Sequence, residues 1–157
     1  MLEVDQINLD DVVIALNDGE RYERRWLIDS RTGEVTPWID DPGLVDQQVD
    51  LEDLDPEIIV IDSTPSGPRY RDMVDFINRV GDARSAEQLA RAIRGKGAFR
   101  RFGNELHWRH EQLIAPWRAF RDARDLRRAA GWLADNGLID EASADRVRAE
   151  HPDPPVP

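Results

Sequence analysis

Residues 22–39 read YERRWLIDSRTGEVTPWI, and this alternating segment with a turn at its centre sets the class of the protein. Tyr22, Trp26 and Ile28 fall on one side of a period of two, which is typical of a β-strand. The sequence Asp-Ser-Arg-Thr-Gly that ends at Gly33 is a turn, and Gly33 occupies the position that favours positive φ. Residues 34–39 return as a second strand, so the segment predicts an antiparallel hairpin.

Two further elements flank the hairpin. Upstream, Asn8 or Asp10 caps a predicted helix whose apolar stripe runs over residues 9–16, and the turn residues 17–19 end it. Downstream, residues 57–61 (Glu-Ile-Ile-Val-Ile) are β-branched and predict a buried third strand. The first part of the chain therefore contains a small sheet with one helix.

An acidic loop is predicted over residues 40–56, which are rich in Asp and contain Pro and Gly. The spacing and the closing Glu of an EF-hand loop are absent, so we expect no metal site there.

The apolar period changes after residues 62–68, which break the third strand and form a seam. Apolar residues then recur at helical spacing and predict a series of helices. They begin at Tyr70, at Ser85 with its capping-box partner Gln88, after residue 97, after Pro116 and at Asp140. The last residues, 151–157, are rich in proline and are expected to fray.

These elements predict an α+β fold: a small antiparallel β-sheet with one N-terminal helix, followed by a bundle of four to five α-helices. We divide the chain into an acidic α+β half with the hairpin (1–66), a helical half (67–150) and a proline-rich tail (151–157). From its length we expect one compact domain.

Charge is unevenly distributed along this acidic chain, whose formal net charge is −11. Residues 1–66 contain 4 basic and 18 acidic side chains, whereas residues 91–128 contain 11 basic and 4 acidic ones. One interpretation, which we favour, is that the acidic half and the basic half of the chain attract each other. The alternative is that the basic segment binds an outside partner, because salt screens it from the distant acidic charges. The chain lacks cysteine, a signal-peptide pattern and any apolar run of the ~18 residues that a membrane helix needs, so we expect a cytoplasmic, non-membrane protein.

The strongest candidate for a functional surface is residues 95–102, GKGAFRRF. Two glycines flank Lys96, and a helix that begins near residue 97 presents free N–H groups to an anion. Lys96, Arg100 and Arg101 add positive charge, which suits a protein partner or a small anionic ligand. The alternative is a tight turn with Phe99 and Phe102 packed inward and the arginines paired with acids of the first half.

Two other function classes stay open, although neither is favoured. Aromatic and basic residues are interleaved over 91–128, as in single-strand RNA or DNA binders, but most of these aromatics fall on helical apolar stripes and are expected in the core. An enzyme acting on a phosphorylated or acidic substrate would use Asp62 or Asp72 as its base. His107 and His110 are expected to be exposed to solvent, and the sequence indicates no cofactor.

Several segments together resemble a known family. They are residues 27–35, residues 68–73 with Phe76, residues 95–102, residues 117–120 and residues 132–133. In this order they resemble an uncharacterised bacterial protein family, number 0158 in the UPF series, over roughly residues 8–139. Members of that family usually have a lysine-like residue after the second Phe, where this chain has Gly103. The resemblance implies a shared fold and a shared site, adds Arg69 and Tyr70 to the candidate residues, and lends no established activity.

Overall fold

A computed structural model describes residues 1–19, 24–39 and 55–157. Within these ranges the chain forms a three-stranded antiparallel sheet and six α-helices, which confirms the α+β class. The elements are α1 (Leu9–Asn17), β1 (Arg24–Asp29), β2 (Val35–Ile39), β3 (Ile58–Ile61), α2 (Ser66–Arg79), α3 (Ala83–Ala92), α4 (Ala98–Arg109), α5 (Ile114–Asp135) and α6 (Glu141–Glu150). Residues 22–23 of the predicted hairpin and 40–54 of the predicted loop lie outside the described residues. No described helix is both long and apolar enough to cross a membrane.

The first strand of the predicted hairpin, β1, is the central strand of the sheet. β1 pairs with β2 and with β3, so the strand order is β2-β1-β3. Pro37 is tolerated in β2 because an edge strand can lack one N–H donor. Gly33 closes the turn with φ +79, and a Cβ there would lie 2.9 Å from Cγ1 of Ile7. Gly33 is therefore required both by its backbone conformation and by close packing.

The chain forms two compact units, residues 1–64 with 126–150, and residues 65–125 with 151–157. The first boundary coincides with the seam predicted at 62–68, whereas the second falls inside α5. Residues 129–150 belong with the sheet because Ala130 and Leu133 are buried in the same core as Ile28. Sequence period alone gives no sign of this return of the chain to the first unit.

The second unit has a core of its own, formed by α2, α3, α4 and the first part of α5. Phe76 lies at its centre, with Phe102, Trp117 and Phe120 in edge-to-face contact at centroid distances of 5.3–6.4 Å. Such ring pairs add roughly 0.5–1.5 kcal/mol each beyond the burial of their area. The inward position expected of Phe102 is confirmed, since it is 2% exposed.

Two predicted helix starts in this unit are wrong. α2 begins at Ser66 rather than at Tyr70, because Pro68 sits in the first turn, where a missing N–H costs nothing. α3 begins at Ala83 with Asp82 at the N-cap, so Ser85 lies inside the helix and donates its hydroxyl to Oδ2 of Asp82 at 2.7 Å. The sequence therefore placed the N-cap at Ser85, three residues after its actual position at Asp82.

The proline-rich tail does not fray, contrary to the expectation. Asp153 accepts hydrogen bonds from Arg79 at 2.7 Å and from Arg124 at 2.9 Å. The Gly81 N–H donates to the oxygen of Pro157 at 2.9 Å, and Val156 packs against the core of the second unit. The tail is held because it supplies a carboxylate to the half-buried guanidinium of Arg124.

Candidate functional site

Residues 95–102 form the connection from α3 to α4 and the first turns of α4. Gly95 has φ +75 and Gly97, the residue just before α4, has φ +78. A side chain in this left-handed region costs roughly 1–2 kcal/mol. Both glycines are therefore explained by the turn that they make.

Arg101 binds the loop between α3 and α4 (residues 93–97) instead of facing an outside ligand. Its Nε donates to the Ala92 carbonyl at 2.8 Å, and its two terminal nitrogens donate to the carbonyls of Arg94 and Lys96. The carbonyls at the end of a helix have no partner within the helix, and a guanidinium fork can satisfy several of them together. Arg101 thus holds the loop in place from the first turn of α4.

Tyr70 has a related structural position. Its hydroxyl donates to the Ile93 carbonyl at 2.9 Å, and its ring packs against the core of the second unit. Together with Arg101 it binds the loop at carbonyls of residues 92–96. These two predicted site residues fix the loop that presents Lys96.

Lys96 and Arg100 remain directed at solvent. Both are exposed, and neither side chain has a hydrogen bond or ion pair with any of the described residues. Arg69 is half-buried, with its guanidinium carbon 5.3 Å from the centre of the Phe99 ring. Phe99 is 40% exposed, so its predicted place in the core is wrong. The ring lies on the surface beneath Arg69 in a cation–π contact.

Helix α4 has a distinct outward side, which we call the α4 outer face. Its inward residues are Ala98, Phe102 and Leu106, which recur at the helical period and are buried. The α4 outer face is formed by the exposed residues Phe99, Arg100, Gly103, Asn104, His107 and Trp108. It contains no acidic side chain, and its largest apolar surface is Trp108, which is 77% exposed.

Gly103 lies in the middle of this face. A Cβ added there would have no atom within 4 Å, so no internal packing requires a glycine. Glycine inside a helix costs roughly 0.5–1 kcal/mol relative to alanine. The missing side chain leaves room for the backbone of another molecule to approach α4 closely.

A cleft of about 410 Å³ opens beside Trp108. It is lined by Ala92, Arg101, Asn104, Glu105, Trp108 and Arg109. Because the nitrogens of Arg101 already bind three loop carbonyls, the polar groups that line the cleft without such bonds are Asn104, Glu105 and Arg109.

A buried carboxylate–imidazole pair lies at this cleft. His110 is 4% exposed, so its predicted exposure to solvent is wrong, whereas His107 is exposed as expected. Nε2 of His110 lies 3.5 Å from Oε2 of Glu105, and neither buried atom has a hydrogen-bond partner. Arg109 also approaches Oε2, with Nε at 3.8 Å. Oε2 is therefore closed off from the cleft, and Glu105 lines the cleft with the 20% of its side chain that stays exposed.

Other chemistry finds less support in the described ranges. Asp72 is 4% exposed and pairs with Arg124 at 3.4 Å, which gives this carboxylate a structural partner. No group of three or more His, Cys, Asp or Glu side chains in the described part of the chain is arranged to hold a metal ion.

A family model, described as an uncharacterised protein family (UPF0158), matches residues 23–151. The chain belongs to UPF0158. The resemblance seen in the sequence is thus confirmed, and every residue of the loop, the α4 outer face and the cleft lies inside the matched UPF0158 region. No curated protein matches the chain. No solved structure matches it either.

Sequence reasoning about this UPF0158 chain missed three parts of the surface: Gly103, Trp108 and the Glu105–His110 pair. Trp108 lies off the stripe that runs through Phe102 and Leu106, and this offset was the signal that could have placed it outside the core. Gly103 offered a second signal, because glycine is unfavourable inside a helix. The burial of His110 had no sequence signal, since it depends on the way the chain turns after α4.

Proposed function

We propose that this UPF0158 protein is an interaction module whose α4 outer face, together with Lys96, binds an acidic segment of a protein partner. The observation that carries the proposal is the coexistence of an exposed Trp108 with cations that have no described ion pair, Lys96 and Arg100. Tryptophan and arginine dominate the binding energy of protein interfaces, where they occupy central positions surrounded by less important contacts.

Charge complementarity selects the occupant. The α4 outer face has no acidic residue and Lys96 extends its positive charge, so an acidic segment gains favourable contacts that a basic one does not. Gly103 favours a partner with its own backbone near the helix, such as a peptide, because a small ion has no use for that space.

A nucleic acid is the weaker alternative. Of the aromatic residues in the basic segment, Phe102 and Phe120 are buried and Trp117 packs against the same core. Phe99 has Arg69 over its ring, which leaves Trp108 as the open stacking surface among the described ones. Single-strand binders use several such rings in succession. The net charge of −11 also opposes association with a polyanion.

The test is a selection from a displayed library of random twelve-residue peptides on the immobilised full chain. Binders are then counterselected against the variant Lys96→Glu/Arg100→Glu and against Trp108→Ala. We expect the peptides that survive to be acidic and to contain an aromatic or apolar residue. A set of peptides without acidic excess, or one that both variants bind equally well, would overturn the proposal.

Two further arms of the same test distinguish other occupants. Thermal shifts with phosphate, citrate and nucleotides detect a small anion, and mixed oligonucleotides at 50 mM salt detect a nucleic acid, whose affinity falls steeply as salt increases. Either ligand binding more tightly than the selected peptides would replace the protein partner in this proposal.

A further inference from the structure

The cleft beside Trp108 has its own chemistry, which differs from that of the basic face next to it. Its apolar surfaces come from Ala92 and the Trp108 ring, and its volume of about 410 Å³ lies within the range of pockets that hold a small ligand or an aromatic group. Asn104 and Glu105 add an amide and a carboxylate to the wall.

The carboxylate of Glu105 is not satisfied by the protein. Oε2 is buried without a hydrogen bond, and Nε2 of His110 lies 3.5 Å from it. Because Oε2 and Nε2 of His110 are both buried and face each other, a group in the cleft does not reach Oε2, and the exposed part of the carboxylate is the part open to a hydrogen bond. The Glu105 side chain retains 20% of its exposure, and through this part a group in the cleft can reach the carboxylate.

The charged residues that line the cleft limit which side chain of a partner can bind there. A cationic side chain is disfavoured because Arg101 and Arg109 both line the cleft. An anionic side chain would lie against the Glu105 carboxylate, and neither arginine is free to pair with it, because Arg101 binds three loop carbonyls and Arg109 approaches Glu105 itself. What remains is a neutral group with an apolar ring and a hydrogen-bond donor.

We propose that the cleft receives a tyrosine side chain of the acidic partner segment, with its ring against Trp108 and its hydroxyl donating to Glu105. This inference rests on the proposed function, since it assigns the anchor residue of the same partner. His110 acts as a positioning residue that faces Oε2 from the buried side and fixes the carboxylate toward the cleft. Ring contact and one hydrogen bond to a charged acceptor together account for the specificity of the site.

The test uses synthetic peptides with one central residue and four acidic residues on each side, and it measures their Kd on the full chain. With tyrosine at the centre (the acidic tyrosine peptide) we expect about tenfold tighter binding than with phenylalanine, because only tyrosine donates to Glu105. Leucine and arginine at the centre bind more weakly than phenylalanine.

The variant Glu105→Gln keeps the size of the side chain and removes its charge. We expect it to reduce the preference for tyrosine over phenylalanine to less than about threefold and to leave the Kd of the phenylalanine peptide unchanged. His110→Gln reduces the same preference, and a general loss of fold would instead weaken all four peptides equally.

The outcomes separate the two proposals. If the acidic peptides bind but tyrosine and phenylalanine are equal on the wild-type chain, the anchor is wrong and the interaction module stands. If none of the peptides binds, both proposals are wrong.

Discussion

The second unit contains two assemblies of arginine with aromatic rings, one in its interior and one on its surface. In the interior, Arg124 lies 4.6 Å from the centre of the Phe120 ring and forms ion pairs with Asp72, Asp75 and Asp153. On the surface, Arg100 shares the α4 outer face with Trp108 and has no ion pair among the described residues. Arginine and aromatic side chains therefore have partners within the protein at the first site, whereas Arg100 and Trp108 are exposed at the second.

The difference indicates that hydrogen bonds and ion pairs within the chain, rather than the residue type, distinguish a structural arginine from one that is available for binding. Burial by itself lowers the pKa of Arg124, but its hydrogen bonds to Asp153 and Asp75 outweigh burial and raise the pKa above its ordinary value. That guanidinium is therefore a permanent cation that joins α2, α5 and the tail. Lys96 and Arg100 have no ion pair among the described residues, and our proposal assigns these two cations to binding.

The largest effect is expected from Arg124→Met. It removes the cation from its ion pairs with Asp72, which is 4% exposed, Asp75 and Asp153, and removal of one partner from a buried pair costs about 3–5 kcal/mol. Denaturant unfolding at pH 7 measures the loss. The matched control is Arg118→Met on the exposed side of α5, which should change the free energy of unfolding by less than about 0.5 kcal/mol. Equal stability of the two variants would contradict the assignment of Arg124 to the architecture.

For Arg101→Lys we expect a smaller effect, a decrease of about 2 kcal/mol in the free energy of unfolding. The charge is kept, but one ammonium group cannot replace a fork that binds the carbonyls of residues 92, 94 and 96. Hydrogen exchange of the amides at residues 94–97 should accelerate with the loss of stability. Arg100→Lys is the control and should alter neither measurement. If Arg101→Lys is as stable as the wild type, Arg101 belongs to the binding surface after all.

Gly103→Ala is expected to stabilise the chain by about 0.5–1 kcal/mol, because the added methyl group meets open space inside a helix. The same change should weaken binding of acidic peptides, since it occupies the gap in the α4 outer face. Gly131→Ala is the comparison, where the Cβ would lie 3.3 Å from the Arg148 guanidinium and the gain should be smaller. A stabilised Gly103→Ala variant with unchanged peptide binding would remove Gly103 from the interface.

The smallest effect concerns acid stability at the start of α3. The hydroxyl of Ser85 donates to Asp82 and holds the pKa of that carboxyl below 3.8. A lowered pKa in the folded state gives stability that is present above 3.8 and is lost as the pH falls through the folded value. Asp82→Asn should therefore show a shallower fall in the free energy of unfolding below pH 4. An identical slope in both proteins would show that Asp82 does not contribute.

Local patterns allowed the sequence to predict much of the fold. The alternation around Trp26 and the turn at Gly33 are set by neighbouring residues, and both predictions are confirmed. The helical stripe through Phe102 is confirmed except for Phe99, which is exposed. The fate of individual arginines was not predictable, because the partners of Arg101 are backbone carbonyls and those of Arg124 include a residue of the tail. Such contacts depend on distant parts of the chain that a local pattern does not contain.

The central claim is that the α4 outer face with Lys96 binds an acidic partner, and a comparison of two double variants tests it most directly. Lys96→Glu/Arg100→Glu and Arg71→Glu/Arg118→Glu change the net charge equally, and all four residues are exposed. Kd is measured for the acidic tyrosine peptide at low and physiological salt. We expect the first variant to lose more than about 30-fold in affinity and the second to lose less than about threefold. Equal losses in the two variants would mean that net charge, rather than this surface, governs binding, and would contradict the claim.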